Sequence, residues 1–215
     1  MTRNIGANAA GRVFNIFNRF RGARSKGGRA SALWLEVLGI SPTGSEARDS
    51  IIVARHLDVL MRELDVISKT YAAMELPADL LEQYQLNIHN ALQIDLLPHS
   101  KENTVQYLTE VVLLSLRWWS IVMPDDDIAV VGEDMAALSG HIDALEQALA
   151  KDGIPAGLRA YAERLLEELR AAIVMTAIEG VKPLREAVRK AVSDAHFEED
   201  SIKAELAGAE ERPEV

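Results

Sequence analysis

Five histidines and 33 carboxylates are the side chains here with the chemistry to hold a metal or move a proton. A di-iron site in a helical protein needs Glu-x-x-His pairs, because carboxylate and imidazole three residues apart converge on one metal. The residues three before His56, His89, His99, His141 and His196 are Val53, Leu86, Leu96, Leu138 and Ser193, so that pairing is missing at every histidine. His196 with Glu199 and Asp200 is a His-carboxylate group at helical spacing, beside an acidic tail where a solvated charge run is the simpler reading. Asp125, Asp126 and Asp127 follow Pro124, and one of them is expected to cap the helix beginning there, since anions are favoured at helix N-termini. Without cysteine there is no thiol nucleophile, thiolate metal site or disulfide framework. Neither phosphate-binding glycine pattern, G-x-x-x-x-G-K-[ST] or G-x-G-x-x-G, occurs. No nucleophile–base pair or metal set emerges, so we expect no catalytic residues, no cofactor and no small-molecule ligand, and the reading leans away from an enzyme.

Other polar groups sit in patterns that suit contact better than catalysis. Asp49, His56, Glu63 and Thr70 recur every seven residues, forming one row on a helix. Members one heptad apart are separated by about 10 Å along the axis, too far for His56 and Glu63 to act on each other. A structural polar row is the simpler reading, and a partner surface the functional one. Arg117 is expected on a partly solvated stripe. Its neighbours Trp118 and Trp119 must point about 100° apart, so that one is core and the other reaches the rim, where it could anchor a partner. Lys182, Arg185 and Arg189 form a short basic face.

The N-terminal segment differs most from the rest. Residues 1–35 carry seven basic side chains and no acid, leaving 16 basic against 33 acidic groups, a net −17, for residues 36–215. Five glycines are scattered through residues 1–30, arguing against a long continuous helix. Within it, Arg12, Arg19 and Arg21 are interleaved with Phe14, Phe17 and Phe20, three of the four phenylalanines in the chain. Arg interleaved with aromatic rings suits an acidic groove on a protein, this chain's own body included, an anionic membrane surface met by residues 12–21, or, third in order, single-stranded nucleic acid. An Arg-rich, acid-free start also resembles an organellar presequence in composition.

Positioning these groups falls to helices. Val53, Leu57, Leu60, Leu64, Ile67, Tyr71 and Met74 step 4-3-4-3-4-3, a heptad seam. Thr43 and Glu46 have capping-box spacing ahead of it. A short helix is expected over Ser31–Leu38, stopped by Gly39, and a further one from Pro77 to about Ile94. A continuous helix from Lys101 to Met123 follows, apolar on most sides and read as the central helix of a bundle, yet too short to cross a bilayer. Ile128, Val131, Met135, Leu138, Ile142, Leu145 and Leu149 form a second seam, and segments around Leu158–Ala172 and Leu184–Ala195 complete the set. No alternating strand pattern appears. The expected fold is all-α: a bundle of about six helices with heptad-like seams over residues 31–206, a basic arm over 1–30 and a polar tail over 207–215.

These features point to a non-enzymatic interaction or regulatory module, with another protein or self-association as partner. One alternative is a neutraliser of the antitoxin or immunity type, whose acidic body masks a basic partner. Another is a peripheral membrane protein held by its arm. A cytoplasmic setting, at most peripheral to a membrane, is expected. Arginine outnumbers lysine 16 to 7, a composition that suggests a GC-rich bacterial source.

Overall fold

The computed structural model describes residues 6–24, 28–126, 132–151 and 154–210, with the side chains of residues 80, 132–133 and 197–210 outside the description. The fold is all-α. Its helices are α1 (Ala9–Gly22), α2 (Ala30–Leu38), α3 (Glu46–Ala73), α4 (Asp79–Ala91), α5 (Lys101–Val105), α6 (Glu110–Val122), α7 (Gly132–Leu149), α8 (Ala156–Glu179) and α9 (Lys182–Glu210), with one 3-10 turn at Ile94–Leu96. Nine α-helices among the described residues exceed the six expected, because the basic segment is itself helical, the segment after Pro98 is split and the short helix stopped by Gly39 adds to the six longer ones. None of the described helices is long and apolar enough to cross a membrane.

The chain divides into two compact units. One comprises Met1–Ala129 with Ala177–Gly180, the other Val130–Thr176 with Val181–Val215. The division falls after Ala129, far from the boundary expected after Ala30.

In the first unit α1 packs chiefly on α6 and α3. Val13, Ile16, Phe17 and Phe20 have no exposed surface. The Phe20 ring stacks on Trp34 at 4.2 Å between centroids, and Phe17 meets the same indole edge-on at 6.3 Å. Of the alternatives open for the basic segment, packing against this chain's own body is the one its buried rings fit, and the segment is part of a core. The physical reason is that its apolar side chains recur at helical spacing while the helix has its own start signal: the Asn8 side chain accepts a hydrogen bond from Gly11 N–H at 3.0 Å. The chain leaves α2 at Gly39, whose φ of 72° is a left-handed conformation that glycine adopts without strain.

The seam of α3 is buried as its spacing requires: Val53, Leu57, Leu60, Leu64, Ile67 and Tyr71 are each 3% exposed or less. Its start differs from the capping-box expectation. The helix begins at Glu46 after Ser45, and Asp49 reaches back to accept from both the backbone N–H and the hydroxyl of Thr43, at 2.8 and 2.7 Å. The helix expected over Lys101–Met123 breaks after Val105, where Thr109 takes the N-cap position of α6 and accepts from Val112 N–H at 3.3 Å. A cap residue competes with helix continuation by offering the backbone a local partner.

The second unit holds Ile142, Leu149 and Leu166 at the centre of a smaller cluster, with Leu138, Ala162, Leu169 and Ile173 against it. Leu145, placed in the α7 seam by its spacing, is 49% exposed, so that seam is interrupted. Ile128 and Val131 lie outside the described residues. Arg170 bridges Asp143 and Glu146 between α8 and α7, and Lys190 of α9 donates to Glu168 at 2.6 Å. Gly180, with φ 71°, makes the turn from α8 to α9. α9 continues to Glu210, so residues 207–210, assigned to a tail, are helical.

Candidate interaction surface

Helix α6 carries the feature that sequence periodicity concealed. Val112 and Leu116 are fully buried, and Leu113, Trp119, Ser120 and Met123 are 6% exposed or less. On the opposite side Val111, Leu114, Trp118 and Ile121 are 52%, 65%, 43% and 50% exposed. At 100° per residue these four lie within about 80° of one another and span about 15 Å of axis. A helix expected at the centre of a bundle therefore turns one apolar face inward and another outward. Composition could not separate the two, because both are made of the same residue types. Glu110 and Arg117 border the outward stripe.

Two tryptophans adjacent in sequence divide between these faces. Trp119 is 2% exposed and meets Tyr71 edge-on with centroids 6.1 Å apart, whereas Trp118 projects outward. Arg117 is exposed, and its carbonyl accepts from the Ser120 hydroxyl at 2.6 Å.

The orientation of α6 is set at its C-terminal end. Terminal helix carbonyls lack intrahelical partners. The Asn8 amide donates to Ser120 O at 3.1 Å and Met123 O at 3.3 Å, so the residue that starts α1 also closes α6. Asp126 returns the interaction: its carboxylate accepts from Ala9 N–H at 3.1 Å, and its own N–H donates to Ala7 O at 3.0 Å. Asp126, one of the three aspartates from which a cap for the helix after Pro124 was expected, caps α1, whose free N–H groups face it; Asp127 lies outside the described residues.

Arg12 locks this joint. Its guanidinium donates to both Asp126 oxygens, at 2.8 and 3.1 Å, to Glu63 Oε2 at 2.7 Å and, through Nε, to Ile178 O at 2.8 Å. Burial works against the Arg12 charge, but Asp126 and Glu63 outweigh it and hold Arg12 above its ordinary value. Glu63 moves upward too: burial disfavours its charge more than Arg12 restores it, and Asp126 and Glu179 add like-charge repulsion. Two carboxylates share one cation, and Glu63, only 9% exposed at its side chain, is the more desolvated of them.

The other residues singled out by sequence scatter. Phe14 is half-buried, Arg19 is exposed, and Arg21 reaches Glu110 at 3.2 Å. Lys101 donates its ammonium to Arg21 O and Ala23 O at the C-terminus of α1. His56 bonds the carbonyl of Ile52 through Nδ1 at 2.8 Å, so the row that held His56 and Glu63 places only Glu63 in the buried network. Lys182, Arg185 and Arg189 are exposed on α9 in the second unit. Among the described residues no three His, Asp or Glu side chains are arranged to hold a metal ion; Glu199 and Asp200 fall among the side chains outside the description. Asn8 and Asp126 were missed as a pair, although Asn8 three residues before Gly11 is an N-cap signal in the sequence. The chain matches no protein-family model, no curated protein and no solved structure.

Proposed function

We propose that this chain is a protein-interaction module whose contact surface is the outward face of α6. The observation that carries the reading is the stripe Val111, Leu114, Trp118 and Ile121, each 43% exposed or more, on a helix fixed from behind by the Asn8, Asp126 and Arg12 contacts. Contiguous exposed apolar surface of this kind marks contact sites, and a tryptophan bordered by an arginine is the composition of an interface anchor. Phe17 and Phe20, considered for the same role, have no exposed surface, so contact through their rings would require α1 to leave the core. The test is a photo-crosslinking residue at position 118 in the native host, with exposed position 62 of α3 as control. Discrete adducts at 118, lost when Leu114 is replaced by Glu and missing at 62, are expected. Finding no discrete adduct at 118 would sink the reading.

A second reading, neutralisation of a basic partner, draws on the net −17 of residues 36–215. It requires a complex whose affinity falls steeply with added salt; indifference to salt removes it.

A further inference from the structure

We infer that the occupant of the α6 face is a second copy of this chain, docked antiparallel through the same helix. This rests on the reading of α6 as an interaction surface and names its partner.

The first argument is register. The stripe steps 3-4-3, from Val111 to Leu114 to Trp118 to Ile121. That spacing is palindromic, so a two-fold axis through the level of Leu116 maps it onto itself. Leu114 then opposes Trp118 of the second copy, and Val111 opposes Ile121. One patch then serves both sides, as an isologous interface demands. The stripe lies opposite the buried side of α6, so neither α1 nor α3 has to move to admit another helix.

The second argument is area. With side chains of roughly 150–250 Å², the four exposed fractions amount to about 400 Å² of apolar surface per copy. Two copies would bury about 800 Å² of it, short of the roughly 1,200–2,000 Å² of stable interfaces, so the dimer is weak and concentration-dependent. Glu110 and Arg117 supply a charged flank at its rim.

The test uses the full chain alone. Light scattering should show a mass rising from 23.6 kDa toward twice that value with concentration, and Trp118→Glu should hold it at the monomer value with unchanged circular dichroism. Leu114→Glu serves as a second variant if Trp118→Glu misfolds. Because the natural chain has no cysteine, Leu114→Cys and Trp118→Cys chains can be mixed and oxidised. The antiparallel register predicts mixed 114–118 disulfides in excess of 114–114 and 118–118 pairs. A monomer at every concentration overturns the dimer while leaving the crosslinking result at 118 to decide the interaction reading. A dimer untouched by Trp118→Glu and Leu114→Glu overturns the assignment to α6. Predominantly 114–114 pairs overturn the antiparallel order.

Discussion

Arg12 and Asp126, 114 residues apart in sequence, form a two-toothed ion pair at 2.8 and 3.1 Å, and Glu63 takes a third guanidinium hydrogen at 2.7 Å. Replacing Arg12 with Met should cost about 3–5 kcal/mol, because it leaves Glu63 buried without its cation. Arg12→Lys should recover only part of that loss, since an ammonium cannot present the planar fork to Asp126 while also serving Glu63 and Ile178 O. Denaturant midpoints of the two variants measure the difference. Equal stability of Arg12→Lys and the natural chain would count against the fork.

Glu63 makes the stability of the first unit pH-dependent with a definite sign. Its folded-state pKa is raised, so protonation favours the folded form. Its contribution is therefore fully present below the unfolded value of about 4.3 and is lost as pH rises through the folded value. The stability of Glu63→Gln relative to the natural chain should accordingly improve between pH 4 and pH 7. A gap that stays constant, or moves the other way, contradicts the assignment.

Asn8 serves two helices with one amide. Asn8→Ala should cost about 1–2 kcal/mol, combining loss of the α1 cap with loss of donors to Ser120 O and Met123 O. Asn8→Asp keeps the cap acceptor but has no N–H to give. Its buried carboxylate would face the Ser120 and Met123 carbonyl oxygens instead, so it should be no more stable than Asn8→Ala, as read by thermal unfolding.

The neighbouring tryptophans should respond oppositely to truncation. Trp119→Ala removes a ring packed on Tyr71 and should cost about 3–5 kcal/mol. For the isolated chain at concentrations where it is monomeric, Trp118→Ala should change stability by no more than about 0.5 kcal/mol. Similar losses at both positions would mean that α6 is buried on both sides.

Deleting residues 1–30 should abolish cooperative unfolding of the first unit, since it removes Phe17 and Phe20 from Trp34 and Arg12 from Glu63. Retention of native near-ultraviolet dichroism by the truncated chain would show that α1 is dispensable.

Much of the helical order was legible in the residues. The α3 seam reads directly, because six of its seven apolar positions are buried at the spacing that defines it. The end of α2 at Gly39 reads for the same kind of reason, a local conformational preference. The fate of residues 9–22 read only as a set of alternatives: docking on the chain's own body stood beside membrane and nucleic-acid contact, and the choice depended on carboxylates at 63 and 126 that only the fold brings near. The α6 surface was hidden for a different reason. A helix apolar on nearly every side has no polar arc to mark which face meets water, so Leu113 and Leu114 look alike in sequence yet are 6% and 65% exposed.

Ile178 completes the first unit from far along the chain: its side chain is fully buried, and its carbonyl accepts from Arg12 Nε across 166 positions. During synthesis at roughly 5–20 residues per second, on the order of ten seconds or more separates the emergence of these two partners. Over that interval the Arg12 guanidinium must wait with its Nε hydrogen facing water. The first unit is therefore the earlier to begin folding yet cannot be sealed until most of the second has been translated.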